Sequence, residues 1–412
     1  MNCLYYFTDN YPFSDDYTWK SAEIKEAATQ FDEVIIVPFT YIRGNSFTFP
    51  KNVRIVEPTL RKSFFAQWKY LKHVFALTQP QPWFFELLKA LLYGKQGVKS
   101  WYLSTVYSNI IVQKDIFKEL NDKSEEQEHT VLFFQWTMHN ALIVPLLHKW
   151  GYRNIVCRMH GFDLYEFRHH NYIPYKKQIL KRTKHCTFIS EHGRSYATEL
   201  YPFIKEKSYL HYLGARAMAY NEVSKSQKFH IISVSRIIPL KRIELIVKAL
   251  GQIKIPIRWT HIGDGPENAL DNLKQMADKM IPNQATCSVE FLGWLTPEAI
   301  RSYFSKNGIN ALILVSATEG LPLVIMEAFS ASIPVIATNV GGISELVNSK
   351  NGILLNSNPE VKEVVDAIET MANESFELHE LRRKQALQTY LKSLDLEKNS
   401  KNFINFLAKQ CS

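Results

Sequence analysis

"ALILVSATEGLPLVIMEAF", residues Ala311 to Phe329, reads as a buried strand, a turn and a helix. The apolar run Ala311–Val315 suits a strand covered on both faces of a parallel sheet. In "TEGLP", Gly320 and Pro322 turn the chain off that strand into an apolar helix expected from about Pro322 to Ser332. Glu319 then stays in the turn, and Glu327 lies about five residues inside the helix, about 7 to 8 Å along its axis. Two carboxylates in an otherwise apolar unit of this kind ask for a ligand.

The same rhythm runs through the whole chain. In the first half the strand candidates are "CLYYFT", "EVIIVPF", "VRIVEP", "TVLFFQW", "NIVCRM" and "CTFIS"; in the second they are "FHIISVS", "IRWTHIG", "SVEFLG", "ALILVS", "PVIAT" and "GILL". Longer amphipathic runs separate them, which is the pattern of parallel sheets covered by helices. Each set builds one doubly wound sheet, and 412 residues suffice for two such domains. The polar stretch Asn221–Lys228, "NEVSKSQK", is the expected linker, dividing the chain into 1–220 and 221–394. The tail 395–412 is expected to be a helix packed back on the first domain.

Composition narrows the class. Hydrophobic residues make up 46% and charged residues 22%, the mix of a folded soluble enzyme. Five scattered cysteines without CxxC spacing argue against a disulfide framework and a zinc site. No secretion signal and no membrane-spanning run is read, so a cytoplasmic location is expected. The formal charge of +9 raises two further classes, nucleic-acid binders and membrane-surface proteins. Part of it falls between Arg61 and Tyr107, where Arg61, Lys62, Lys69, Lys72, Lys89, Lys95 and Lys99 interleave with Phe64, Phe65, Trp68, Trp83, Phe84, Phe85 and Trp101 around a single acid, Glu86. Such a segment suits either an anionic lipid surface, on the inner face of the cell membrane, or ordinary packing of aromatics into its own domain.

Ligands of open α/β sheets bind beyond the carboxyl ends of strands, so the residues that follow strands carry the chemistry. After "IISVS" come Arg236 and, following Pro239, Lys241, placed in the first turn of a helix where the helix dipole disfavours a cation. An anionic ligand reverses that penalty, and two cations with free backbone N–H groups suit a diphosphate. "GDG", Gly263 to Gly265, is a tight strand-end turn before a helix begun by Pro266 and Glu267. In "FLGWL", Trp294 and Leu295 serve either main-chain contact with a nucleobase edge or packing. "PVIATNVGGISELV" ends a strand in Gly341-Gly342, whose N–H groups can meet phosphate oxygens. In the first half, His160 follows a strand in "CRMHGFDLYEF", with Gly161 and Asp163 close by; a structural and a functional reading both stand. Taken alone, Glu319 and Glu327 suit a glycosidase pair about 5 to 9.5 Å apart. With Arg236 and Lys241 beside them, an elongated ligand with hydroxyls at both ends and phosphates between is the better fit.

These motifs, in this order, resemble the retaining glycosyltransferases of family 4, of bacterial surface-polysaccharide type. The strongest elements are E-x7-E, here Glu319 and Glu327, and R-x4-K, here Arg236 and Lys241. The resemblance covers essentially the whole chain and implies an α/β GT-B fold, two Rossmann-like doubly wound domains facing across a central cleft. It further implies that Arg236 and Lys241 neutralise the donor diphosphate and that Glu327 accepts from the ribose hydroxyls. Glu319, with the N–H groups of Gly320 and Leu321, would hold the donor sugar, and His160 would contact that sugar from the other domain, its carbonyl near the reacting face. Where the family has an N-terminal Gly-Gly loop, this chain has "YPFSDDYTW", so Ser14 and Asp15 are the candidates for the acceptor or phosphate loop. Ser235 and Arg242 replace family glycines.

The implied activity is transfer of a hexose-type sugar from a nucleoside diphosphate sugar to a glycan or lipid-linked acceptor, with no metal and no other cofactor. A sugar-nucleotide 2-epimerase of the same architecture and a catalytically inactive homologue acting as a partner subunit are the alternatives. The motifs speak against a nucleic-acid partner.

Overall fold

The computed structural model describes residues 1–13, 18–41, 48–61, 83–112, 114–122, 124–224, 228–281 and 286–411. The chain divides into two compact units, Met1–Tyr212 with Ser400–Ser412, and Leu213–Asn399. The division thus comes before the expected boundary at residue 220, for a backbone reason. Leu213 and Ala215 already bond within the second unit, through Ala215 N to Leu394 O (3.0 Å), Leu396 N to Ala215 O (3.0 Å) and Asn399 Nδ2 to Leu213 O (2.9 Å). Asn221, read as the start of a linker, is buried in that same unit. Its side chain donates to Ile309 O (2.6 Å) and accepts from Ile309 N (2.9 Å), and Arg383 donates to its carbonyl. Residues 225–227 of the expected linker lie outside the described residues.

The strands of the first unit are β1 (Cys3–Thr8), β2 (Glu33–Pro38), β3 (Thr40–Tyr41), β4 (Val53–Ile55), β5 (Leu60–Arg61), β6 (Thr130–Phe134), β7 (Ile155–Met159), β8 (His185–Phe188) and β9 (Ser208–Leu210). Seven of them form a parallel sheet in the order β4-β2-β1-β6-β7-β8-β9, while β3 and β5 make a separate parallel pair. All six expected strands are present, and β9 extends the edge. The alternation of side chains builds a core on each face. Tyr5, Phe7, Leu132 and Phe134 point to one side. Leu4, Tyr6, Val131 and Phe133 point to the other, where they meet Ile24 and Ala27 of the helix Thr18–Gln30 and Phe403, Ile404 and Leu407 of the helix Leu396–Ala408. Buried Arg158 joins these layers: it pairs with Glu23 (2.8 Å) and lies 3.9 Å from the ring centroid of Phe403.

The second unit holds β10 (Phe229–Val234), β11 (Ile257–Ile262), β12 (Cys287–Gly293), β13 (Ala311–Leu314), β14 (Val335–Thr338) and β15 (Gly352–Leu355). They form one parallel sheet in the order β12-β11-β10-β13-β14-β15. β13 and β14 are buried at every position, as their unbroken apolar runs require. The helix Ile243–Leu250 covers the sheet with Ile243, Ile246, Val247 and Leu250, an i, i+3, i+4, i+7 stripe.

Candidate functional site

In both sheets the strand order reverses at one point, between β1 and β6 in the first unit and between β10 and β13 in the second. Crevices at such reversals are where open α/β sheets hold ligands. At each reversal a basic side chain and a carboxylate from the two flanking strand-end loops pair with each other.

In the second unit the pair is Lys241 Nζ and Glu319 Oε1, 2.5 Å apart and mostly shielded from solvent. Glu319 does sit in the turn after β13, but Lys241 is not in the first turn of a helix. It ends a short 3-10 turn, Pro239–Lys241, and the helix begins only at Ile243. Arg242 separates the two in the left-handed region, with φ of 51°. That backbone is costly for a side chain bearing a Cβ. Here it is offset by four hydrogen bonds: Arg242 donates to Val315 O (2.6 Å), Ser316 O (2.7 Å), Ser357 O (2.9 Å) and Asn358 Oδ1 (2.9 Å). Arg242 thus pins the Lys241 turn to the end of β13, and Ala317 N to Leu240 O (2.8 Å) adds a further tie.

The glycines are used mainly to bring main chain against main chain. Gly341 has φ of 56°, and a Cβ there would collide with the carbonyl of Glu319. Gly342 N donates to Gly320 O at 2.8 Å. The double glycine therefore braces the Glu319 turn, and this corrects the expectation for Gly342: its N–H is engaged by protein and is not offered to a phosphate. Gly263, with φ of 143°, and Gly265 likewise leave room for the carbonyls of Ser235 and Ile237. Ile237 N donates to Asp264 O (2.8 Å) and Gly263 N to Gly293 O (2.8 Å), so the GDG turn fixes the loop that carries Arg236. The helix expected to start at Pro266 starts at Ala269 instead, after Asn268 at φ of 60°.

Arg236, Gly263, Gly265, Trp294 and Leu295 come together around a cavity of about 430 Å³. Arg236 is exposed there. Of the "FLGWL" stretch, Phe291 does the packing, edge-on to Trp259 with centroids 5.4 Å apart, whereas Trp294 stays 55% exposed at the cavity. Leu321 is buried, and Glu327 is half-buried in the helix Leu323–Ser330.

In the first unit the pair is Asp9, just beyond β1, and His139, five residues beyond β6, with Oδ1 and Nδ1 2.8 Å apart. No sequence motif marked it. His139 has φ of 50°, stacks on Phe39 (centroids 4.7 Å apart, planes 6° apart) and meets Tyr107 edge-on. Burial disfavours its charged form, but the Asp9 carboxylate outweighs that and holds its pKa above the usual value, with a smaller contribution from Asp163.

His160 follows β7 directly and is buried, its ring stacked on Trp136 with centroids 4.2 Å apart. Burial pushes its pKa down to about 3, with Asp163 opposing and Arg158 and Lys20 assisting. The ring is therefore neutral at physiological pH, and neither nitrogen has a hydrogen-bond partner among the described residues. Asp163 holds the turn: one oxygen accepts from His160 N (2.8 Å), the other from Thr137 N and Oγ1 (2.8 Å each). Lys176 donates to Thr137 Oγ1 and to the carbonyl of Asp163. Ser14 and Asp15 lie outside the described residues.

The two parallel-sheet, Rossmann-like units define the GT-B fold. A crystal structure of Anabaena Alr3699/HepE in complex with UDP superposes with a TM-score of 0.66 at 14% identity, covering 99% of this chain and 100% of that one. Residues 219–408 match the family model described as glycosyl transferases group 1. The chain is 28% identical over 165 residues to the O-antigen biosynthesis glycosyltransferase WbnH of Escherichia coli, 40% of this chain and 43% of that protein. It is 25% identical over 256 residues to a GDP-mannose-dependent alpha-(1-6)-phosphatidylinositol monomannoside mannosyltransferase of Mycobacterium tuberculosis, 55% of this chain and 63% of that protein. The chain thus spans less than two thirds of the length of these curated relatives. Together the matches show the GT-B fold and a likeness to glycosyltransferases over part of the chain.

Proposed function

We propose that the protein is a retaining glycosyltransferase that moves a hexose-type sugar from a nucleoside diphosphate sugar to a glycan or lipid-linked acceptor in cell-surface polysaccharide synthesis. The observation that carries this reading is the Lys241–Glu319 pair at the strand-order reversal of the second unit, on the same loop as Arg236 and its cavity. In this reading the nucleotide base lies by Trp294 and Leu295 and the diphosphate by Arg236 and Lys241. The ribose lies by Glu327, and the donor sugar by Glu319 and the N–H groups of Gly320 and Leu321. A diphosphate entering the site takes over Lys241 and frees Glu319 to accept from sugar hydroxyls. Leaving-group charge is neutralised by the two cations, which is the role a divalent metal fills elsewhere. His160, neutral and with no hydrogen-bond partner for its ring nitrogens among the described residues, is the first unit's candidate for contact with a sugar.

The name of the Escherichia coli relative supports the polysaccharide setting, and the neighbour holding UDP supports a nucleotide-sugar donor. The reading includes a cytoplasmic protein in peripheral contact with an anionic membrane, where a lipid-linked acceptor would be met. A 2-epimerase is not favoured by the matches. Thermal shift against a panel of UDP-, GDP- and ADP-sugars tests the donor assignment. One nucleotide class should raise the midpoint in wild type and not in Arg236→Ala; a flat response to the whole panel would count against the reading.

A further inference from the structure

The helix Trp83–Leu91 presents its apolar face outward. Its inner face carries a carboxylate: Glu86 is buried and accepts from Tyr172 OH (2.9 Å), Tyr175 N (3.1 Å) and Gln178 Nε2 (2.9 Å), beside the fully buried Ala90. A second helix, Gly94–Val112, locks against it at Gly97, where a Cβ would collide with the carbonyl of Ala90. The element is therefore held firmly from within. Its outer stripe is Phe85, Leu88 and Leu91, followed by Leu92, at 73, 48, 56 and 83% exposure. Spaced i, i+3, i+6 and i+7, these side chains share one side of the helix. A soluble surface does not ordinarily gather large apolar groups in this way.

We propose that this face docks on an anionic lipid bilayer, with Phe85, Leu88, Leu91 and Leu92 entering the boundary between headgroups and acyl chains. Charge decides the occupant. Lys95 and Lys99, on the first turns of the helix that follows the stripe in the chain, are exposed, and the only acid on the docking helix is Glu86, turned inward. With a formal charge of +9 a second copy of the chain is repelled, whereas a surface of lipid phosphates is attracted. The inference specifies the membrane part of the proposed function and does not depend on sugar transfer.

The test is sedimentation of the full chain with vesicles of phosphatidylcholine alone or with about 30% phosphatidylglycerol. Wild type should pellet with the anionic vesicles, and raising salt from about 0.1 to 0.5 M should weaken binding severalfold. The double variant Phe85→Ser/Leu92→Ser, at two highly exposed positions, should keep its thermal midpoint and partition at least about tenfold less. Wild type that stays in the supernatant, or a double variant that pellets equally well, would overturn the proposal. So would a wild-type dimer that the double variant converts to monomer with vesicle affinity unchanged, because the occupant would then be a second copy. Vesicle binding without turnover of any nucleotide sugar would instead sink the transfer reading and leave the docking face standing.

Discussion

Lys241 reaches from the turn after β10 to Glu319 in the turn after β13, so one ion pair spans the reversal of strand order in the second unit. Asp9 and His139 do the same across the reversal in the first unit. A polar pair at this place holds two strand-end loops together.

Replacing Lys241 with Ala leaves Glu319 without its cation and removes positive charge from the proposed diphosphate site. Turnover should fall by about 100-fold or more, the scale of losing a preorganised electrostatic partner. The fold should survive, because Lys241 lies in a short turn outside the helix and the core. Steady-state kinetics with far-ultraviolet circular dichroism checks both halves.

Gly341 has no room for a side chain, and its backbone is left-handed. Gly341→Ala should cost about 1 to 2 kcal/mol from the conformation alone and should push the Glu319 turn out of place. The thermal midpoint should drop by a few degrees while turnover drops further. A variant with normal activity would show that the brace against Glu319 does not matter.

Arg242 separates two demands at one position. Arg242→Gly relieves the left-handed backbone but removes four hydrogen bonds, whereas Arg242→Ala removes the bonds and keeps the strain. The Ala variant should therefore be less stable than the Gly variant by about 1 kcal/mol, measured by denaturant unfolding. Both should lose activity, through the neighbouring Lys241.

Acid and base act on the two histidines in opposite senses. The pKa of His139 is raised when folded, so the stability from its pairing with Asp9 is fully present below the unfolded value and is lost as pH rises through the folded one. For His160, held down to about 3, the unfolded chain binds the proton first, so stability falls as pH drops below about 6.5. Asp9→Asn should flatten the alkaline side of a midpoint-against-pH curve, and His160→Phe the acid side.

The fold was legible because buried parallel strands write themselves as unbroken apolar runs, and each of the twelve expected strands is present in the structure. Ser208–Leu210 writes no such run, being three residues long and not fully buried at any position. Within the second unit the charged residues stood out by their spacing after strands. What spacing did not show was the backbone: the 3-10 turn at Lys241 depends on the left-handed Arg242, and the glycines serve close main-chain contacts. In the first unit Asp9 and His139 are 130 positions apart, and Glu86 meets Tyr172 86 positions away, so no local pattern encoded either. The one local signal is that Asp9 directly follows a strand.

Glu319, Lys241 and Arg236 are assigned to a single donor site that releases nucleotide and transfers sugar with retention. Proton NMR of the anomeric signal, recorded as the wild-type protein and Lys241→Ala consume the nucleotide sugar that gave a thermal shift, tests this most directly. Wild type should release a sugar whose first-formed anomer matches the donor, and Lys241→Ala should release none over the same period. An inverted first-formed anomer, or equal release by the variant, would contradict that assignment.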